Sequence, residues 1–140
     1  MQDNDRGPKL PKSVLILDDE ALIAMMIEDE VRELGAETVL IFSDPSEAMD
    51  AASTAPLDCA ILDIFIRGKA DYLVARTLLS RGVPFVFSTG RIPESLDEDF
   101  RHVPVLSKPF SPAELQTAIS QAMSEDPASV GPGEIWPLDS

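Results

Sequence analysis

Five times along this chain a short apolar run gives way to a more polar stretch, and four of the five stretches carry apolar residues at helical spacing. The first run, "SVLIL", leads directly into Asp18, Asp19 and Glu20. Leu22, Ile23, Met26, Ile27, Val31 and Leu34 then recur with helical periodicity, and Gly35 supplies a stop. The later runs are "ETVLIF" (37–42), "DCAIL" (58–62), "PFVFS" (84–88) and "VPVLS" (103–107). Continuous apolar runs of this length, alternating with amphipathic helices, are strands buried on both faces. That pattern specifies an α/β fold with a parallel sheet covered by helices on each side.

The helix signals support the alternation. Asp44, Pro45 and Glu47 form an N-cap, a first-turn proline and a reciprocal acid, predicting a helix to about Ser53. Val74, Leu78 and Leu79 predict a third helix over 70–81, stopped by Gly82. Ser111, Pro112 and Glu114 repeat the capping pattern ahead of Leu115, Ile119 and Met123. The segment "RIPESLDEDFRH" is acidic with weak periodicity, so any helix there is short and near 93–100. Residues 90–102 are accordingly expected to be mobile. Pro104 places the fifth strand at an edge or makes it a strand start. Residues 1–12 read as a flexible leader, 13–124 as one domain and 125–140 as a Pro/Gly-rich tail.

In open parallel sheets, function gathers beyond the carboxyl ends of the strands. Collecting the residues at that edge gives Asp18 and Asp19 after strand one, Asp63 after strand three, Thr89 after strand four and Lys108 after strand five. Each acid alone would be an ordinary solvated strand end. Together they would repel, and each would resist ionising unless a cation intervened. Three carboxylates with room for water suit Mg2+, a hard ion with octahedral oxygen ligands. A carboxylate can also attack phosphorus to give an aspartyl phosphate, which demands mainly charge neutralisation from its surroundings. Glu20 falls in the expected first helical turn, where an acid favours the helix dipole, and is read as helix-stabilising rather than metal-binding.

"VLILDDE", "AILD", "PFVFSTG" and "VLSKPF", in this order and each behind a predicted strand, resemble the receiver domains of two-component response regulators. The resemblance spans about residues 13–123. It implies a flavodoxin-like doubly wound sheet with strand order 2-1-3-4-5, here with the fourth helix short or mobile. It also implies that Asp63 is the phosphoacceptor. Asp19 would bind Mg2+ directly and Asp18 mostly through water, with the Phe65 backbone carbonyl as a further ligand. Lys108 would pair with the phosphoryl group, and Thr89 would be the switch hydroxyl. The phosphodonor would be a phosphohistidine on a sensor histidine kinase or phosphotransfer protein.

Departures from the pattern are concrete. The loop "DIFIRGKADY" has no proline, and Val105 stands where the switch aromatic is usual. Thr89 and Lys108 are only 19 positions apart. "FSTGR" resembles the Phe-x-Thr-Gly motif of an atypical, often single-domain subgroup common in alphaproteobacteria. That subgroup serves kinases of the HWE and related classes. Two readings of Arg91 stand: reaching the phosphoryl group, or solvated. His102 is a lone histidine in a polar loop with no metal role. Cys59 is read as a small buried hydrophobe. Ile135, Trp136 and Leu138 either pack back on the domain or dock a partner.

Composition narrows the rest. The formal net charge of -14 excludes a free nucleic-acid binder and disfavours anionic membranes. The longest apolar run, "ALIAMMI", is far too short to span a bilayer, and "MQDNDRGPKLPK" has no secretory apolar core. The expectation is a cytoplasmic stand-alone receiver, a monomer or weak dimer. It would signal to an unknown downstream protein by contact or by passing phosphate, since the tail is too short for an output domain. The alternatives are a phosphorylation-independent adaptor and a small aspartate-based phosphatase.

Overall fold

A computed structural model describes residues 10–91, 93 and 96–124. The expectations for residues 1–9 and for the tail with Trp136 lie outside the described residues. In chain order the main elements are β1 (Ser13–Leu17), α1 (Ala21–Glu33), β2 (Thr38–Phe42), α2 (Pro45–Thr54) and β3 (Cys59–Asp63). A short hairpin follows, β4 (Phe65–Ile66) and β5 (Lys69–Ala70), then α3 (Leu73–Arg81) and β6 (Phe85–Thr89). A 3-10 turn at Glu98–Phe100, β7 (Val105–Ser107) and α4 (Pro112–Met123) complete the domain.

The five long strands form one parallel sheet in the order β2-β1-β3-β6-β7, the expected 2-1-3-4-5 arrangement with the hairpin set aside. Side chains alternate across it. Val14, Ile16, Cys59, Ile61, Val86 and Leu106 face α1 and α4, meeting Ile27, Val31, Leu115 and Ile119. Leu15, Leu17, Ala60, Leu62, Phe85 and Phe87 face α2 and α3, meeting Ala48, Ala52, Val74 and Leu78. Two buried layers on opposite faces explain why the strands read as continuous apolar runs. β7 is an edge strand, and Pro104 lies just before its start.

Local chemistry sets the element ends. Gly82 closes α3 at φ +73, its N–H bonded to the Leu79 carbonyl, while the Val83 N–H reaches Leu78. At α4 the reciprocal cap is complete: the Ser111 hydroxyl accepts from the Glu114 N–H, and the Glu114 carboxylate accepts from the Ser111 N–H. At α2 the expected partner changes. Asp44 accepts from the N–H and hydroxyl of Ser46, and Glu47 makes no reciprocal cap bond.

Two expectations need correction, the start of helix three and the end of the leader. Helix three starts at Leu73 rather than residue 70, because Lys69 and Ala70 pair back with Ile66 and Phe65. Arg67 and Gly68, at φ 55 and 80, turn that two-residue hairpin, the backbone sense that a tight turn demands. The segment after β6, where a short fourth helix was expected, holds a 3-10 turn among its described residues, with 92, 94 and 95 outside them. Leu96, Phe100 and Val103 of this segment are buried in the α2/α3-side core. Phe100 stacks on Tyr72 and meets Phe85 and Phe87 edge-on. Finally, the leader does not run to residue 12. Pro11 is buried, and the Lys12 carbonyl accepts from the N–H groups of Glu37 and Thr38.

Candidate functional site

At the carboxyl edge of the sheet the chain must leave each strand, and the first residue out inherits the strand's alternation. Asp18 follows Leu17, Asp63 ends β3 beside Ser88, and Lys108 follows Ser107. All three lie on the α1/α4 face, and all are nearly inaccessible: the side chains of Asp18, Asp63 and Lys108 are 1%, 4% and 8% exposed.

Lys108 is the hub. Its Nζ lies 2.9 Å from Asp63 Oδ2, 2.9 Å from Asp18 Oδ2 and 3.1 Å from Glu20 Oε2. Its backbone N–H is bonded to the Thr89 carbonyl at 2.8 Å, and the Lys108–Pro109 peptide is cis. The other carboxylate oxygens are held by backbone. Asp18 Oδ1 accepts from the Glu20 N–H, Asp63 Oδ1 from the Phe65 N–H and Asp19 Oδ2 from the Arg67 N–H. Asp18, Asp19, Glu20 and Asp63 each bring an oxygen within 4.8 Å of the others. Four carboxylates against one ammonium leave three formal negative charges when all are ionised.

Electrostatics follow from burial. Desolvation raises the carboxyl groups of Asp18 and Asp63 above their ordinary value, against the lowering pull of Lys108 and of the backbone N–H groups. Burial works against the Lys108 charge as well, but the hydrogen bond to Asp63 and the charges of Asp18 and Asp63 outweigh it, and the ammonium is raised. Lys108 is therefore charged at any physiological pH. A divalent cation fits this donor set: hard oxygens, clustered, with more negative charge than Lys108 balances.

The structure thus brings together Asp18, Asp19, Asp63 and Lys108 as the spacing predicted, and adds Glu20. The helix-stabilising reading of Glu20 is corrected. It precedes α1 in extended conformation, makes no side-chain cap bond, and turns to Lys108. Its signal lay in the unbroken "DDE", which the helix-dipole argument outweighed. The backbone N–H groups of Phe65 and Arg67 were also missed, because main-chain donors leave no mark in side-chain identity. Phe65, named for its carbonyl, enters the site through its N–H.

Thr89 is fully buried at the end of β6, but its hydroxyl turns to its own loop. It donates to the Arg91 carbonyl at 2.9 Å and accepts the Arg91 N–H. Arg91 is exposed, as the solvated reading has it, with its guanidinium 4.3 Å over the Phe65 ring rather than among the carboxylates. Val105 is half-buried against the α2/α3-side core. Cys59 is fully buried, and burial pushes its thiol up to about 12. Among the described residues no helix is long and apolar enough to cross a membrane.

No family model matches the chain. Over 124 residues, 86% of its length, it is 32% identical to the transcriptional regulatory protein PdtaR of Mycobacterium tuberculosis, of which it spans 60%. It is 36% identical to SdrG of Sphingomonas melonis Fr1, with a TM-score of 0.73 over 83% of this chain and 99% of that one. SdrG is also solved in a BeF3-activated conformation. With the receiver (REC) domain of the response regulator PhyR of Erythrobacter litoralis, identity is 30% and the TM-score 0.67, over 80% of this chain and 89% of that one. Both the order of the strands and the relatives lead to one assignment: the chain belongs to the receiver domains of response regulators.

Proposed function

We propose that this receiver takes a phosphoryl group on Asp63 from a phosphohistidine of a sensor histidine kinase or phosphotransfer protein, in a Mg2+-dependent reaction. The observation that supports it most is the Lys108 ammonium, 2.9 Å from Asp63 Oδ2 inside a cluster of four carboxylates. An oxygen of Asp63 attacks phosphorus, the P–N bond breaks, and its electron pair stays on the departing imidazole. The product is an acyl phosphate. Lys108 faces the charge that arrives on the phosphoryl oxygens. Asp18, Asp19 and Asp63, with the Phe65 carbonyl, would hold Mg2+, which when bound neutralises phosphoryl charge. Thr89 reaches the phosphoryl group only by giving up the Arg91 carbonyl, so phosphorylation and a change in that loop are the same event.

Self-phosphorylation and slow loss of phosphate are then the only chemistry, and the output is contact with a downstream protein or onward transfer. The charge of -14 supports a protein partner in the cytoplasm rather than nucleic acid or membrane. The test is acyl-phosphate formation from acetyl phosphate with MgCl2, read by mass spectrometry. Wild type is expected to label and Asp63→Asn to stay blank; equal labelling of the two overturns the assignment. Beryllofluoride offers a parallel probe, given the activated conformation of SdrG.

A phosphorylation-independent adaptor is favoured by one observation: both Asp63 oxygens already have partners, Lys108 and the Phe65 N–H, with Val105 in place of the usual aromatic. Undiminished partner binding by Asp63→Asn would support it.

A further inference from the structure

Among the described residues, Ser88 carries a fully buried hydroxyl with no hydrogen-bond partner. Its place in the sheet is specific. Ser88 pairs with Asp63 on one side and Leu106 on the other. Paired residues of parallel strands point to the same face, so the Ser88 side chain lies beside that of Asp63, about 5 Å away strand to strand. Thr89, the next residue, points to the opposite face.

Lys108 brings the two observations together. It leaves β7, yet its ammonium reaches Asp63 at the end of β3, and β6 lies between those strands. The lysine stem therefore crosses the end of β6, with its backbone N–H fixed to the Thr89 carbonyl. Ser88 is the residue of β6 under that crossing. A small side chain there leaves room for the stem, and a larger one would block it.

The ammonium has three N–H groups. Two are matched by hydrogen bonds, to Asp63 Oδ2 and Glu20 Oε2. The third contact, Asp18 Oδ2 at 2.9 Å, is an ion pair without hydrogen-bond geometry. A cation drawing on Asp18 would remove even that and leave a nearly buried charged donor without an acceptor, which is unfavourable.

The geometry points to Ser88 as a positioning residue of the site: its hydroxyl accepts an N–H of Lys108 when a divalent cation takes up Asp18. The unpaired hydroxyl of the resting state is the acceptor reserved for the cation-bound one. Lysine and cation then cease to compete for Asp18. This rests on the reading that the acidic cluster holds a divalent cation.

The experiment compares wild type with Ser88→Ala on the full chain. Thermal unfolding is measured without divalent cation, MgCl2 binding by calorimetry, and the Lys108 Nζ resonance by 15N NMR through the titration. Alanine suits a buried strand and removes only the hydroxyl. Its melting midpoint without cation is expected to equal or exceed that of wild type. Its Mg2+ affinity is expected to fall about tenfold, the scale of one hydrogen bond to a charged group. The Lys108 resonance should end at a different position in the variant, which a purely structural role would not produce. Equal Mg2+ affinity and equal end points overturn the role of Ser88 while leaving the cation site intact. A lower midpoint without cation also overturns it, since the hydroxyl would then have a resting partner. If wild type itself fails to bind Mg2+, the cation reading falls, and the proposal with it.

Discussion

Replacing Lys108 with methionine tests the electrostatic account of the site directly. The substitution keeps most of the stem's volume and removes only the charge. Asp18 and Asp63 would then be two carboxylates, 1% and 4% exposed, without their shared cation. Removing one partner of a buried pair costs about 3–5 kcal/mol, because a charge is left uncompensated. Glu20 adds little, since its side chain is 59% exposed and water screens it. The backbone N–H bonds to Asp18 and Asp63 persist, so the lower end, about 3 kcal/mol, is expected at pH 7 without divalent cation. At roughly 4 °C per kcal/mol for a domain of this size, that is a fall of about 12 °C in melting midpoint. The loss must also depend on pH. In wild type the carboxyl groups of Asp18 and Asp63 are already raised by burial above 3.8, and without Lys108 they rise further. A group raised in the folded state contributes stability fully present below its unfolded value and lost as pH rises through its folded value. The variant should therefore approach wild type as pH falls toward the carboxylate range, and diverge above it. Urea unfolding from pH 4 to pH 8 reads both. A variant as stable as wild type at pH 7, or a deficit that ignores pH, would refute the reasoning.

The same site yields two further expectations. Asp18→Asn should be neutral or stabilising at pH 7 without cation, because Lys108 keeps Asp63 and Glu20 while one buried like charge goes; Mg2+ should then raise its midpoint less than that of wild type, both read by thermal unfolding. Away from the site, Phe100→Ala should cost about 3–5 kcal/mol in urea unfolding, since a fully buried ring that meets Tyr72, Phe85 and Phe87 would leave a cavity; a change under 1 kcal/mol would mean that the segment around it is not docked.

Legibility in the sequence followed the range of the physics. The strands were legible because double burial writes a continuous apolar run, as in "VLIL" and "CAIL", and α4 was legible because a capping box is local chemistry. The site was legible because parallel topology gathers strand ends, so Asp18, Asp63 and Lys108 could be placed together across 90 positions without knowing one distance. What could not be read depended on orientation or on several elements at once. Glu20 has the composition of a first-turn acid, and only the extended backbone at that residue turns it to Lys108. The β4–β5 hairpin is two residues a side, too short for periodicity to register. Phe100 sits in an acidic stretch that reads as solvated, and its burial depends on Tyr72, Phe85 and Phe87, contributed by the α3 N-terminus and β6.

That last cluster bears on the missing switch aromatic. Val105 offers no ring beside Thr89, but alternation puts Thr89 on the same sheet face as Phe85 and Phe87, four and two residues before it in β6. The charges of Asp18, Asp63 and Lys108 occupy one face of the sheet, and the Thr89 hydroxyl and the aromatic packing occupy the other. The two faces meet where the Thr89 carbonyl accepts the Lys108 N–H. A shift of the lysine is thus felt at the residue whose hydroxyl holds the Arg91 loop, and Arg91 in turn rests on Phe65, two positions beyond Asp63. The contacts from Asp63 through Lys108, Thr89 and Arg91 to Phe65 close back on Asp63 through the Phe65 N–H, and none of them requires an aromatic side chain at position 105.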